Sequence, residues 1–215
     1  MNNISRLLIS AAAAGFLAAA PVSATTILGL YNTGVDAAGN KLPASNLIDP
    51  HYTVTGGAAY TTNNPAYLTD PNAGFIAGGL NGSGGSQTYT LSFDLGALNP
   101  ATASLSGQVA YDNTVQVYLN GNLLYADVPG APGTYPAFQS LHNFSASSSF
   151  FVSGINALTF SVLDYDAPTA LLVTNLVGNG SVPEPATWAM MLMGLGMVGF
   201  GLRRRQKQTV RVTYA

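Results

Sequence analysis

Residues 89–95 alternate strictly between apolar and polar side chains, in the order Tyr-Thr-Leu-Ser-Phe-Asp-Leu. Because successive side chains of a strand point to opposite faces of a sheet, this pattern predicts a strand with one buried face. The same alternation recurs along the chain without any long helical periodicity, so the sequence favours an all-β domain. The side chains of this strand that are predicted to face the core are Tyr89, Leu91, Phe93 and Leu95.

A second alternating segment, residues 114–119, leads into a predicted tight hairpin. Asn120-Gly121 supplies a pair that tolerates positive φ, and residues 123–125 return as the partner strand. About eight short strands separated by Gly, Pro, Asn and Asp predict an antiparallel β-sandwich of the jelly-roll type over residues 25–177. The other predicted strands are 158–162 and 171–177, with weaker candidates at 26–31, 52–55, 103–111 and 147–152.

Charge is distributed very unevenly along the chain. Between residues 25 and 181 the only basic residue is Lys41. The same range contains eight aspartates, so its formal charge is −7. A domain this acidic repels phosphate backbones, so nucleic acid is excluded as a partner. The chain also has no cysteine, which removes thiolate catalysis and cysteine-based metal sites.

Residues 1–24 have the pattern of a secretory signal peptide. Arg6 provides the positive charge, an apolar run follows, and Val22-Ser23-Ala24 places small residues where signal peptidase cleaves. The sequence therefore predicts export, with signal peptidase cutting after Ala24; a short buried helix is the alternative.

The C-terminal segment has three parts in a fixed order. Val182-Pro183-Glu184-Pro185 comes first, an uncharged run over residues 186–202 follows, and Arg203-Arg204-Arg205 closes it. At 1.5 Å per residue the run measures about 25 Å, so it predicts a short transmembrane helix in the inner membrane. Arginine clusters stay on the cytoplasmic side. Residues 206–215 are then a basic cytoplasmic tail, and residues 178–181 a flexible linker to the domain.

Residues 182–205 resemble the PEP-CTERM sorting signal, in which a Pro-Glu-Pro motif, a short membrane segment and a basic cluster follow one another. The resemblance implies that an exosortase, a membrane sorting enzyme of Gram-negative bacteria that make exopolysaccharide, reads residues 182–185 and 203–205. The same tail is also labelled after an ice-binding protein, a label that describes only the tail. The chain continues for ten residues after Arg205, unlike the family's usual ending, and an ordinary single-pass anchor is the alternative.

Two internal stretches resemble the galactose-binding-like jelly-roll domains of secreted bacterial proteins. One runs from Tyr111-Asp112-Asn113 into Asn120-Gly121, and the other places Gly154 and Asn156 ahead of residues 158–162. The resemblance implies a jelly-roll fold with a carbohydrate-binding ancestry, and it assigns no ligand residues.

Three aspartates, Asp112, Asp164 and Asp166, are candidates for a calcium site, because Ca²⁺ takes clustered oxygen ligands. Their spacing does not match an EF-hand, and ordinary loop polarity is the alternative. His51 and His142 are too few for a zinc site without cysteines. We therefore expect no metal and no cofactor.

Ten tyrosines lie between residues 25 and 181, and some of them could stack on sugar rings. Tyrosines on the outer face of a sheet without any ligand are the alternative. The four expected to be exposed are Tyr60, Tyr67, Tyr118 and Tyr135.

These features predict a non-enzymatic exported protein of the cell surface or the extracellular matrix, associated with biofilm or exopolysaccharide. It would be held in the inner membrane at least transiently, with its domain in the periplasm, before reaching the surface or the medium. The alternative is a carbohydrate-binding module for exopolysaccharide. A secreted hydrolase is a third possibility, but residues 25–181 contain no glutamate for a catalytic carboxylate pair.

Overall fold

A computed structural model describes residues 24–79, 85–127, 136–164, 169–182, 185–205 and 213. These residues form eleven strands, two short 3₁₀-helices (Ala137–Gln139 and Ser148–Phe150) and one α-helix, α1 (Pro185–Arg205). The strands are β1 (Ala24–Thr26), β2 (Ile48–Val54), β3 (Gly57–Thr61), β4 (Ile76–Gly78), β5 (Gly85–Asp94), β6 (Asn99–Asp112), β7 (Thr114–Leu119), β8 (Asn122–Ala126), β9 (His142–Ala146), β10 (Ile155–Asp164) and β11 (Ala170–Ser181).

All the strands belong to one antiparallel sheet with the order β8-β7-β10-β5-β2-β3-β4-β11-β6-β9, and β1 pairs with β11. The sheet curls over its own core, so that the ring centroid of Phe160 on β10 lies 5.7 Å from that of Phe144 on β9. The two end strands also approach each other, because the ring centroids of Tyr125 on β8 and His142 on β9 are 6.0 Å apart. The predicted antiparallel all-β class is confirmed, as a single, nearly closed sheet.

The period-two pattern of the sequence places the core as predicted. On β5, Tyr89, Leu91 and Phe93 are buried, whereas Asp94 is exposed. Leu95, one residue beyond the strand, is buried as well. Each buried position alternates with a more accessible one, so the apolar faces of the strands meet inside the curled sheet. The matching inward sets are Val115, Val117 and Leu119 on β7 and Leu158, Phe160 and Val162 on β10.

The predicted hairpin at Asn120-Gly121 is confirmed. Both residues have positive φ, 50° and 81°, which joins β7 to β8 by a tight turn. The Asn120 side chain also ties the hairpin to β10, because its Oδ1 accepts a hydrogen bond from the Ala157 N–H at 3.0 Å.

Part of the outer face of β6 and β11 is covered by the loop between β3 and β4. Ala110 and Leu172, which are register partners, pack against Tyr67 and Phe75 in a second apolar cluster. Tyr67 is therefore buried, and the prediction that it is exposed is wrong. The reason is that its ring packs in this cluster against the ring of Phe75, at a centroid distance of 4.4 Å.

Two weak strand predictions are wrong in position. Residues 147–152 hold the 3₁₀-helix Ser148–Phe150 instead of a strand, and the strand lies just before them, as β9. The run of serines at 147–149 favours local side-chain hydrogen bonds over a ladder, and Ser147 Oγ lies 3.3 Å from Ser149 Oγ. Within residues 26–31, only Thr26 is in a strand, at the end of β1.

The flexible linker predicted over residues 178–181 is also wrong, since these residues complete β11 and pair with β6 and β1. A Cβ at Gly178 would lie 2.7 Å from Leu30 Cδ1 and 2.9 Å from the Ser104 carbonyl oxygen. The glycine is thus required by close packing in a strand, although in the sequence it looks like a flexible spacer.

Candidate functional site

The predicted sorting residues lie at and after the junction between β11 and α1. Val182 follows β11 and is exposed, and Pro185 is the first residue of α1. Pro183 and Glu184 lie outside the described residues. Arg203 is exposed, and the helix ends with Arg204 and Arg205.

Several apolar side chains of α1 are exposed. Met190, Leu192, Met197 and Phe200 are each at least 65 % exposed. Among the residues described, no helix combines the length and the apolarity needed to cross a bilayer. The helix predicted over residues 186–202 is confirmed, and it contains four glycines. The glycines are Gly194, Gly196, Gly199 and Gly201.

The two ends of the folded domain lie side by side. Ala24 is the register partner of Ser181, and Thr25 that of Gly180, in an antiparallel pair. Ser181 is also anchored to Thr102, whose Oγ1 accepts hydrogen bonds from the Ser181 N–H and Oγ, both at 2.9 Å. Because the strands are antiparallel, the chain before Ala24 and the chain after Ser181 leave the sheet at one place. The predicted signal cleavage site and the sorting segment are therefore neighbours.

Two of the three calcium candidates lie at neighbouring strand ends. Asp112 ends β6 and Asp164 ends β10, and the Asn113 N–H donates to the Leu163 carbonyl at 2.9 Å. Asp112 already accepts hydrogen bonds from the Tyr67 hydroxyl at 3.0 Å and from Asn113 Nδ2 at 2.7 Å. Asp166 lies outside the described residues. Within the described part of the chain, no group of three or more His, Asp or Glu side chains is placed to hold a metal ion.

Burial raises the pKa of the Asp112 carboxyl above its usual 3.8; the hydrogen bond from Tyr67 opposes this shift, and the negative charge of Asp164 adds to it. The same environment raises the pKa of the Tyr67 hydroxyl, first by burial and then by the charge of Asp112. Tyr67 thus remains a hydrogen-bond donor to Asp112 at all ordinary pH values.

The raised pKa of Asp112 predicts a pH dependence of stability. The folded state binds the proton more tightly than the unfolded state, so this contribution is fully present below pH 3.8 and is lost as pH rises through the folded pKa. Asp112→Asn removes the titration, so its stability relative to wild type should increase as pH rises from about 3 to 7. Thermal unfolding at several pH values checks this, with the exposed Asp94→Asn as control. Parallel curves for Asp112→Asn and wild type would contradict it.

A second polar cluster lies where β8 faces β9. The hydroxyls of Tyr111 and Tyr125 are 3.0 Å apart, and the ring centroid of His142 lies 5.4 Å from that of Tyr111. Burial, then Tyr125 and Asp127, raise the pKa of Tyr111, so this phenol stays protonated. His142 Nε2 is buried and has no hydrogen-bond partner among the described residues. The sequence did not reveal this cluster; its one signal is an aspartate that directly follows a strand.

A polar groove of about 350 Å³ crosses the outer face of β11, β6 and β9, beyond the covering loop. Its lining comes from four strands: Asn175 of β11, Ser106, Gly107 and Gln108 of β6, Asn143, Phe144 and Ser145 of β9, and Leu124 of β8. We call it the amide groove. Asn175 Nδ2 donates to Gln108 Oε1 at 2.7 Å, and Gln108 Nε2 donates to Asn143 Oδ1 at 3.0 Å. Its lining contains no charged side chain among the described residues.

The tyrosines predicted to be exposed do not form a common surface with this groove. Tyr60 and Tyr118 are half-buried, and the Tyr118 hydroxyl donates to Gln116 Oε1 at 2.9 Å. Neither lines the amide groove. Tyr135 lies outside the described residues.

Several solved structures have a distant likeness to this chain. A Stig cyclase from Fischerella sp. TAU is 12 % identical, covering 72 % of this chain and 100 % of its own, with a TM-score of 0.41. The CBM36-1 domain of a multidomain xylanase from the hindgut metagenome of Trinervitermes trinervoides is 11 % identical, covering 75 % and 98 %, with a TM-score of 0.33. A β-glucosidase from Kluyveromyces marxianus is 10 % identical, covering 69 % and 18 %, with a TM-score of 0.32. At these TM-scores the likenesses carry no argument about function.

No curated protein matches the chain. One family model does match, and it covers the C-terminal segment that begins at the last residue of β11 and ends with α1. Residues 181–205 match the PEP-CTERM protein-sorting motif, which supports an exported protein sorted by an exosortase.

Proposed function

We propose that this chain is a non-enzymatic protein of the bacterial cell surface or extracellular matrix, delivered there through its C-terminal segment. The match of residues 181–205 to the PEP-CTERM motif carries the proposal. The exposed apolar side chains of α1 support it, because exposed apolar surface suits temporary contact with a membrane. In this proposal an exosortase cuts the chain near Glu184 and frees the domain in a Gram-negative host that makes exopolysaccharide biofilm.

The neighbouring ends of the domain fit this route. Signal peptidase would cut after Ala24, while the paired strands β1 and β11 keep the new N-terminus beside the sorting segment. Both membrane-directed segments then leave the domain from one side, so the rest of the sheet faces away from the inner membrane during export.

The proposal predicts both ends of the mature protein. In a host that contains an exosortase, protein recovered outside the cells should begin at Thr25 and lack α1. Mass spectrometry of the two termini measures this directly. Secreted protein that begins at Met1 would refute the signal peptide, and secreted protein that retains residues 185–205 would refute sorting by cleavage.

A second candidate function is carbohydrate binding by the domain, and the amide groove is the observation that favours it. Amides and hydroxyls combine donors and acceptors in the way that sugar hydroxyls require. Retention of the exported protein on immobilised polysaccharides tests this function, and a lack of retention on all of them would contradict it. A secreted hydrolase has less support, since Asp112 and Asp164 are both buried at strand ends.

A further inference from the structure

We propose that the amide groove is a binding site for a neutral saccharide. This inference rests on the second candidate function above; it gives that function a place on the sheet and restricts the ligand to uncharged sugars. The groove volume of about 350 Å³ is at the small end of ligand sites, which range over about 300–1,000 Å³, so it suits a short saccharide unit.

The lining of the groove selects against charged ligands. Its polar side chains are three amides and two serine hydroxyls, each of which both donates and accepts hydrogen bonds. A carboxylated or phosphorylated sugar would need a cation, and the only Lys or Arg between residues 25 and 181 is Lys41. The Lys41 ammonium donates to the Asp70 carbonyl, away from the groove. An anionic chain would also approach a domain with a formal charge of −7.

The three amides are already aligned before a ligand arrives. The bonds from Asn175 to Gln108 and from Gln108 to Asn143 run in one direction across three strands. They leave the Asn175 Oδ1 acceptor at the β11 side and the Asn143 Nδ2 donors at the β9 side. A sugar that lies across the strands therefore meets acceptors at one end and donors at the other, in fixed positions that reduce the entropy cost of binding.

The backbone of β11 is shaped to place the first amide. The register between β11 and β6 shifts between Thr174 and Val177, and Asn175 has a φ of 53°. Asparagine is among the few residues that adopt this left-handed conformation readily, and the bulge brings its amide to Gln108.

The test compares the exported wild-type protein with the exported Gln108→Ala and Asn175→Gly variants. Glycine at 175 keeps the positive φ and removes only the amide, so this variant should fold even if the loss of Gln108 perturbs the sheet. The matched control is Gln116→Ala, an exposed glutamine on β7 outside the groove. The probes are the neutral polysaccharides dextran and galactomannan and the anionic polysaccharide alginate. Thermal unfolding confirms that each variant is folded.

We expect wild type and Gln116→Ala to bind a neutral polysaccharide with equal affinity and not to bind alginate. Added salt should change the affinity for the neutral polysaccharide only slightly. Both groove variants should bind at least about tenfold more weakly, as expected when two hydrogen bonds are lost. Neutral binding that Gln108→Ala and Asn175→Gly leave intact would overturn the groove as the site while carbohydrate binding stands. A preference for alginate would overturn the neutral ligand. Retention on none of the probes would overturn both, and the sorting function would be unaffected.

Discussion

Phe93→Asp is expected to unfold the domain. Phe93 lies on the inward face of β5, one residue before the end of the strand, and is 3 % exposed. Its ring meets that of Phe151 edge-on at a centroid distance of 6.4 Å. An aspartate there buries a charge with no cation nearby and also removes a large apolar side chain. The combined loss should exceed about 4 kcal/mol, which is a large part of the 5–15 kcal/mol that stabilises a typical domain.

The neighbouring Asp94→Asn is the matched control, because it changes a charge at the next position on the opposite face. Asp94 is exposed, and its Oδ1 accepts a hydrogen bond from the Gly96 N–H at 2.8 Å, which an asparagine Oδ1 can still accept. Its stability should stay within about 0.5 kcal/mol of wild type. Chemical denaturation of both variants measures the difference, and equal midpoints would show that β5 faces the other way.

The elements that were predicted correctly are those in which local sequence and tertiary burial agree. In β5, β7 and β10, apolar and polar residues alternate strictly, and the dipeptide Asn120-Gly121 is typical of a tight hairpin turn. β3 and β4 were not predicted, because they are short and rich in glycine and alanine, which have low strand propensity. Their place is set by pairing with β2 and β11, which a local pattern does not encode.

The candidate sites also differ in whether local sequence or tertiary pairing determines them. The sorting segment was visible because its meaning lies in consecutive residues, from Val182 to Arg205 in chain order. The amide groove could not be predicted from the sequence, because Gln108, Asn143 and Asn175 lie on three different strands. They come together only through the pairing of β11 with β6 and of β6 with β9. The same holds for the Tyr111–His142 cluster, which depends on the near closure of the sheet between β8 and β9.

The sorting proposal leads to a prediction with a large effect on where the protein is found. Replacing Pro183, Glu184 and Pro185 together by alanine should leave the protein attached to the membrane fraction and abolish its release or surface delivery. Proline cannot donate a backbone hydrogen bond and disfavours helix in the residue before it, so the two prolines oppose an extension of α1 toward β11. Alanine favours helix instead, and α1 would then be extended toward β11.

In the sorting proposal, the segment that carries the signal lies at the junction between β11 and α1. β11 is held by its ladder and by the hydrogen bonds of Ser181 to Thr102, and α1 begins at Pro185. Residues 182–184 lie between β11 and α1, and they include Glu184, the one glutamate of the protein. Fractionation of wild type and the triple variant in a host with an exosortase measures the effect, with Pro71→Ala in an exposed loop as control. If the triple variant distributes like wild type, the motif is not read, and the segment acts only as a plain anchor.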